Sequence, residues 1–561
     1  MASFLSKENI TANPNFNRWL VPPAALAVHL SIGMAYGFSV FWKPLGNALI
    51  GDDGKPLAAC AAGATTFGDK LHGTLRALTA TDCNWTQFDL GWMYTLFFVL
   101  LGCSAALWGS WLERSGPRKA GLVSALCWCG GLLISAFGIY SHQLWMMWLG
   151  SGVIGGIGLG LGYISPVSTL IKWFPDKRGM ATGMAIMGFG GGAMIGSPLA
   201  TKLMSIFAVE INGISHPGIW QTFVALAVIY AVFMIGGSLG YRVPPTGWKP
   251  EGWNPSANNG KSMIATKHVH LAKAHKTPQF WLLWLVLCMN VSAGIGIIGA
   301  AAPMLQETFG GALIAQHGTP EFSLGFADIK KDEALIALAA AVGAGFVGLI
   351  SLFNIFGRFF WASASDKLGR QRTYIIFFVL GALLYITASQ AAGMKSLALF
   401  VGCFCIIASM YGGGFSTIPA YLADMFGTQF VGAIHGRLLT AWSTAGILGP
   451  VIVNYMHDIR QEAQVPFADI YAPIFYVLAG MLVIGFIANL MIKPVADKYF
   501  MTDEELAVEK KLAHEKSIVA TEVTGVAEKT PLISSLAWLA VGIPICYGIW
   551  STIQKAWILF H

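Results

Sequence analysis

Charge is what this sequence has least of. Of its 561 residues only 11% are Asp, Glu, Lys or Arg, 55% are hydrophobic, and the mean hydropathy is +0.61. Soluble globular domains carry about 25% charged residues. A soluble fold is therefore excluded, and an all-α polytopic membrane protein is expected. Acid is scarcest of all inside the apolar runs: Glu307, Asp424 and Asp458 stand near run ends, and none lies deep within one. A carboxylate proton relay of the pump type thus lacks its usual residue. There is no HExxH and no pair of carboxylates at membrane depth, so the chain is not expected to be an enzyme and no cofactor or metal is expected. Gly236–Gly240 formally matches a hydrolase elbow, but an apolar helix and not a strand precedes it. No cleavable signal pattern opens the chain.

What charge there is leans positive, with a formal net of +7. The bases cluster in short connections, as the positive-inside rule requires of loops facing the cytoplasm, so no nucleic acid partner is implied. Of nine cysteines, seven lie in apolar segments as packing residues. Cys60 and Cys83 share an external loop, and their pairing is left open.

Twelve apolar runs are long enough to span a bilayer. They lie near Trp19–Leu45, Leu90–Trp111, Ala120–Tyr140, Leu144–Trp173, Met180–Phe207, Phe223–Leu239, Phe280–Leu305, Ala337–Ala362, Thr373–Ala391, Leu397–Leu422, Val431–Tyr455 and Ile474–Ile492. The organisation expected is a six-helix bundle over 1–241 with an external loop near 46–89, a linker over 242–278, and a second six-helix bundle over 279–493. A charged tail over 494–531, helical around Thr502–Lys516, leads to an extra peripheral transmembrane helix over 532–553. With the N-terminus cytoplasmic, the connections holding Arg114, Arg118 and Lys119, then Lys172, Lys177 and Arg178, then Lys367, Arg370 and Arg372 all face inward. Asp52, Asp53, Glu210, Glu321 and Asp458 face out. The expected setting is the cell (inner) membrane, multi-pass, as a monomer in the lipid bilayer. His268, His270 and His275 read as part of a solvated basic linker.

The halves repeat. Gly109, Glu113 and Gly116 match Ala362, Asp366 and Gly369 at an offset of 253 residues. Pro166 matches Pro419, Gly179 and Gly183 match Gly432 and Gly436, and Gly196 matches Gly449 at the same offset. One constant offset across separate features means that the second six spans copy the first. Such duplication places a substrate between the halves near the midplane. Most of the glycines in Gly155–Gly162, Gly188–Gly196 and Gly412–Gly414 are helix-packing positions.

Arg358 sits inside the eighth run, eight residues before Asp366 marks the membrane edge. At about 1.5 Å per residue it is roughly 12 Å deep. A guanidinium there costs a few kcal/mol, about 3 on insertion scales, unless it faces a wet cavity or a partner. Its fork donates bidentately to a carboxylate. Asn354 lies one turn earlier on the same face. Offset 253 gives Arg358 no charged twin, only Ala105. His29, Tyr36, Tyr94, Tyr163, Asn290, Tyr411 and Trp442 are the polar companions within spans.

The turns at Gly109–Lys119 and Ala362–Arg372 resemble, twice over, the cytoplasmic loop signature of the major facilitator superfamily. Glu113, Arg114, Arg118, Asp366 and Arg370 are expected as cytoplasmic gate elements, the two acids capping neighbouring helix N-termini. Glu113 and Pro117 depart from the usual pattern. Pro244–Trp253 and Tyr36–Pro44 further resemble the oxalate/formate antiporter family, which is similar to the monocarboxylate transporters. That resemblance covers Trp19 to Ile492 and implies small organic anions such as oxalate, formate, lactate or pyruvate, moved by alternating access. In that family an arginine of the eighth span binds the carboxylate, and Arg358 matches it. Monocarboxylate transporters place an aspartate where Asn354 stands, which weakens proton coupling by that route. Dicarboxylate exchangers carry a lysine in span eleven, where Trp442 stands. One cation favours a monocarboxylate over oxalate. Leu536–Lys555 resembles a small single-span companion subunit of such carriers, here fused. Proton symport, through His29 or with the cargo, and exchange against a counter-anion are both left open. Export of drugs or neutral solutes and a transporter-like sensor are the competing readings.

Overall fold

The structure, a computed structural model, describes residues 7–51, 57–60, 67–211, 214–245, 247–252, 265, 267–315, 333–394, 396–466, 469–512, 523–525 and 530–556. Asp52, Asp53 and Glu321, the linker over 253–264 and the tail over 513–516 lie outside the described residues. Without water, backbone groups at membrane depth must bond within their own segment, which selects helices. Thirteen helices among the described residues are long and apolar enough to span. They are α1 (Arg18–Phe38), α2 (Asp89–Ser115), α3 (Pro117–Tyr140), α4 (Leu144–Trp173), α5 (Arg178–Ile206), α6 (Ile219–Gly240), α7 (Pro278–Gly310), α8 (Gly345–Leu368), α9 (Arg370–Gly393), α10 (Leu397–Phe426), α11 (Val431–Val453), α12 (Ala472–Leu490) and α13 (Leu532–Gln554).

Two glycines end α2 and α8 in matching fashion. Gly116 and Gly369 adopt φ of 86° and 88°, a region that side chains with a Cβ avoid. Each breaks its helix just after the acid of the repeated motif. Within the first half α1 packs on α5, α2 on α4 and α3 on α6. Within the second half α7 packs on α11, α8 on α10 and α9 on α12, the same arrangement six helices later. The halves meet along two related seams, α5 against α8 and α2 against α11.

α13 lies across the first of these seams, touching α1 and α5 on one side and α8 on the other. Gly548 rests against Met194 and Ile195, and Thr552 against Gly348. Asn17 Nδ2 donates to Thr530 Oγ1 (3.3 Å) at its start. Its outer face, with Leu532, Ile543 and Trp550, is exposed for lipid.

In the loop before α2, Cys60 and Cys83 are joined, their Cα atoms 5.0 Å apart. The linker is not simply solvated. His270 caps the turn at Leu271–Ala274 and its Nε2 lies 3.3 Å from Glu509. Lys273 bonds Glu505 of the tail helix Asp503–Leu512 at 3.0 Å, and this holds the Glu505 carboxyl below the usual carboxylate range. The tail is thereby docked on the linker.

The crossing of α8 and α10 sets where Arg358 points. Gly357 lies so close to Ser409 that a Cβ would overlap its carbonyl, whereas nothing stands within 4 Å of a Cβ at Gly402. Overpacking of this kind costs about 1–3 kcal/mol. Gly357→Ala is expected to lower the thermal-unfolding midpoint by several degrees, and Gly402→Ala to leave it in place. Equal midpoints in a detergent melting assay count against the close crossing.

Candidate functional site

Arg358 is fully buried at the centre of the α5–α8 seam. Its Nε donates to Asn354 Oδ1 (2.9 Å) and its Nη1 to the Ile186 carbonyl of α5 (3.3 Å). Nη2 meets no acceptor at hydrogen-bonding geometry. Among the described residues no carboxylate pairs with this guanidinium. Its charge rests instead on ring faces, with Cζ 5.8 Å from the Phe189 centroid and 5.5 Å from that of Phe415. Such contacts are worth about 0.5–2 kcal/mol each.

Those rings belong to a continuous cage. Trp442 is its hub, with centroids 4.4 Å from Phe415, 5.4 Å from Tyr163, 5.6 Å from Phe189 and 5.7 Å from Phe98. Tyr36 lies 5.0 Å from Phe189 and 6.3 Å from Trp442, and its hydroxyl, like that of Tyr411, is buried without a hydrogen-bond partner. Tyr411 stacks edge-on to Phe415 at 5.2 Å. The Tyr163 hydroxyl and Trp442 Nε1 are buried without a partner. Buried donors are almost always satisfied. A guanidinium, an indole N–H and phenol hydroxyls gathered in an apolar box form a site short of acceptors, the complement of a small oxyanion.

The expected companions are therefore sorted. Tyr36, Tyr163, Tyr411, Trp442 and Asn354 gather around Arg358. Tyr94 stands a layer behind, edge-on to Phe98 at 5.0 Å. Asn290 lies beside Gly414 of α10, its Oδ1 unpartnered. His29 lies beside Tyr163, its Nε2 3.1 Å from the Tyr163 carbonyl and its Nδ1 meeting that of Ala185. Phe189, Phe415 and Phe98 went unforeseen, although Phe189 and Phe415 sit among small residues, the signal that picked Tyr36 and Trp442.

On the face that carries the basic turns, two latches hold the halves together. The Asp366 carboxylate accepts from the N–H groups of Gly179 (2.8 Å) and Met180 (2.9 Å) at the N-terminus of α5. Glu113 accepts from the Gly432 N–H (3.1 Å) at the N-terminus of α11. These positions correspond at the offset of 253 residues, so each half caps a helix of the other. Arg370 bridges Asp366 (2.6 Å) and Asp424 (3.0 Å), and Arg178 reaches Asp424 (2.8 Å) from the first half. Lys172 holds Glu113 at 2.7 Å. Two expected gate residues lie elsewhere. Arg118 donates to the Tyr241 carbonyl (3.2 Å) of its own half, and Arg114 is exposed at the rim. Asp424, Arg178 and Lys172 were missed as latch members.

The resulting state is closed on the basic face, with Arg358, Tyr163 and Trp442 fully buried. A family model described as the Major Facilitator Superfamily matches residues 58–450 and 291–557. The chain belongs to the Major Facilitator Superfamily. Within it, the chain is 27% identical to the oxalate:formate antiporter of Oxalobacter formigenes over 64% of this chain and 73% of that protein. It is 26% identical to apicoplast pyruvate carrier 1 of Toxoplasma gondii over 62% of this chain and 66% of that carrier. The fold is also that of the superfamily transporter FucP in the outward conformation, with a TM-score of 0.53, 11% identity, and coverage of 85% of this chain and all of that one.

A hydrogen bond to a charged group contributes about 1.5–3 kcal/mol, so losing one latch shifts the closed–open balance by roughly tenfold or more. Ser168 is buried against Gly432, behind the Glu113 latch. A reporter cysteine made by Ser168→Cys is expected to react about tenfold faster with impermeant maleimide from the basic face when combined with Glu113→Gln. Unchanged labelling would mean that the latch does not seal this face.

Proposed function

We propose that this superfamily member is a secondary carrier of small organic carboxylates that works by exchange. The observation behind the reading is Arg358, wholly buried among donors and aromatic faces with no carboxylate counter-ion among the described residues. The cargo's own carboxylate is then the missing partner. Its oxygens accept from Nη2 of Arg358, from Trp442 Nε1 and from the hydroxyls of Tyr163, Tyr36 and Tyr411. The printed activities of the oxalate:formate antiporter and the pyruvate carrier among its relatives support this chemistry. One fixed cation suits a monocarboxylate such as formate, lactate or pyruvate better than oxalate.

Exchange follows from electrostatics. Leaving one member of a buried ion pair without its partner costs about 3–5 kcal/mol. An empty carrier that tries to close over Arg358 bears that cost, so its reorientation slows by about two to three and a half orders of magnitude. A loaded one does not. Asn354 accepts one N–H but carries no charge to replace the missing anion. The bodies 1–241 and 279–493 rock about the cage, joined by 242–278. The basic face lies in the cytoplasm, as the positive-inside rule favours, and the chain works as a monomer in the cell membrane.

Proteoliposomes test the reading. Labelled formate, pyruvate, lactate or oxalate is offered outside, with or without unlabelled acid inside. Wild type is expected to take up a monoacid at least tenfold faster against internal acid, and Arg358→Gln to lose at least 100-fold. Asn354→Asp, which supplies an internal counter-ion, is expected to raise uptake into acid-free vesicles. If Arg358→Gln matches wild type, or no acid moves, the reading falls. Flux of neutral compounds would then favour an exporter, and binding without flux a sensor.

A further inference from the structure

One buried group belongs to neither the cage nor the latches. His435 is 1% exposed, and both of its ring nitrogens lack a hydrogen-bond partner. A buried polar group left in this way forfeits about 1–3 kcal/mol. A histidine kept only for packing would be replaced by an apolar ring at a gain. His435 is instead placed between the two machines of the carrier. Its ring lies 5.9 Å from that of Tyr163. Three residues earlier on the same helix is Gly432, whose N–H the Glu113 latch holds. Two residues later is Arg437, which donates to the Leu271 carbonyl and meets His275 Nδ1 at 2.9 Å. Arg437, with Arg114, Glu113 and His270, lines a cavity of about 200 Å³ on the basic face.

Within α11 a single-residue turn at Leu439 follows Val431–Leu438, and its backbone stays helical at φ −63° and ψ −12°. His435 and the latch contact lie before this turn, and Trp442 of the cage lies after it.

We propose that His435 is a second carboxylate station. Its ring N–H receives the anion after it leaves Arg358 and before it reaches the cavity lined by Arg114 and Arg437. On opening, the anion passes from one donor to the next, each step replacing a bond as another is lost. The inference rests on the carboxylate reading above and adds a residue to it on the cytoplasmic side only.

The test uses full-length protein in proteoliposomes of known orientation, with labelled formate and labelled oxalate as probes presented at each face in turn. His435→Phe keeps the ring and removes the donor, and His435→Asn restores an N–H. With His435→Phe, half-saturation at the cytoplasmic face is expected to rise about tenfold, the loss of one charge-assisted bond, with the external face changed less than twofold. His435→Asn is expected to stay within about threefold of wild type at both faces. Equal shifts at both faces overturn the proposal, because the residue would then act in the central site or in the fold. No shift at either face overturns it too. Should His435→Phe not fold, His435→Leu carries the same comparison. A wild type that moves neither acid fails at the carboxylate reading itself, and the station falls with it.

Discussion

The structure depends on a guanidinium that cannot be neutralised from within. Arg358 is held by an amide oxygen and a carbonyl, and faced by the rings of Phe189 and Phe415. These contacts keep the side chain in place without removing its charge. Everything around it follows from that condition. The cage buries it completely, so the charge is little screened. The halves must close tightly over it, which needs the α5–α8 crossing that brings Ile186 and Phe189 to the same guanidinium. The halves are joined on the basic face by hydrogen bonds at helix ends, in addition to the packing along the two seams.

The two latches are related by duplication but are not equal. At the offset of 253 residues Arg370 falls on Pro117, and Asp424 falls on Ile171. The Asp366 latch is backed by a buried network of two arginines and a second acid, and in the other latch Lys172 reaches Glu113 from its own half. The Glu113 latch lies on the α2–α11 seam, three residues from His435.

Much of this was legible in the sequence for a physical reason. Span length, loop charge and the repeat each depend on composition or local order, so twelve spans, the thirteenth helix and the acid-to-helix capping by Glu113 and Asp366 could all be read. Arg358 was legible because a charge at membrane depth is rare enough to stand out alone. What failed was pairing across the halves. Asp424 and Arg178 are 246 residues apart, and each reads by itself as an ordinary charge at a helix end. Arg118 reads as a gate residue for the same reason, and only the path of the chain at Tyr241 turns it inward. For His29, no sequence pattern tells that both ring nitrogens meet backbone carbonyls of other helices.

α13 adds a constraint that a twelve-helix carrier does not have. It touches α1 and α5 of one half and α8 of the other, so any rocking of the halves must move at least one of these contacts. The contacts are those that slide most easily: Gly548 against methionine and isoleucine side chains, and a threonine methyl over Gly348. Small residues allow close approach without interlocking, and no hydrogen bond or ion pair joins α13 to α8 among the described residues. Asn17 of the first half bonds Thr530 just before the helix begins. α13 covers the α5–α8 seam, at whose centre Arg358 is buried.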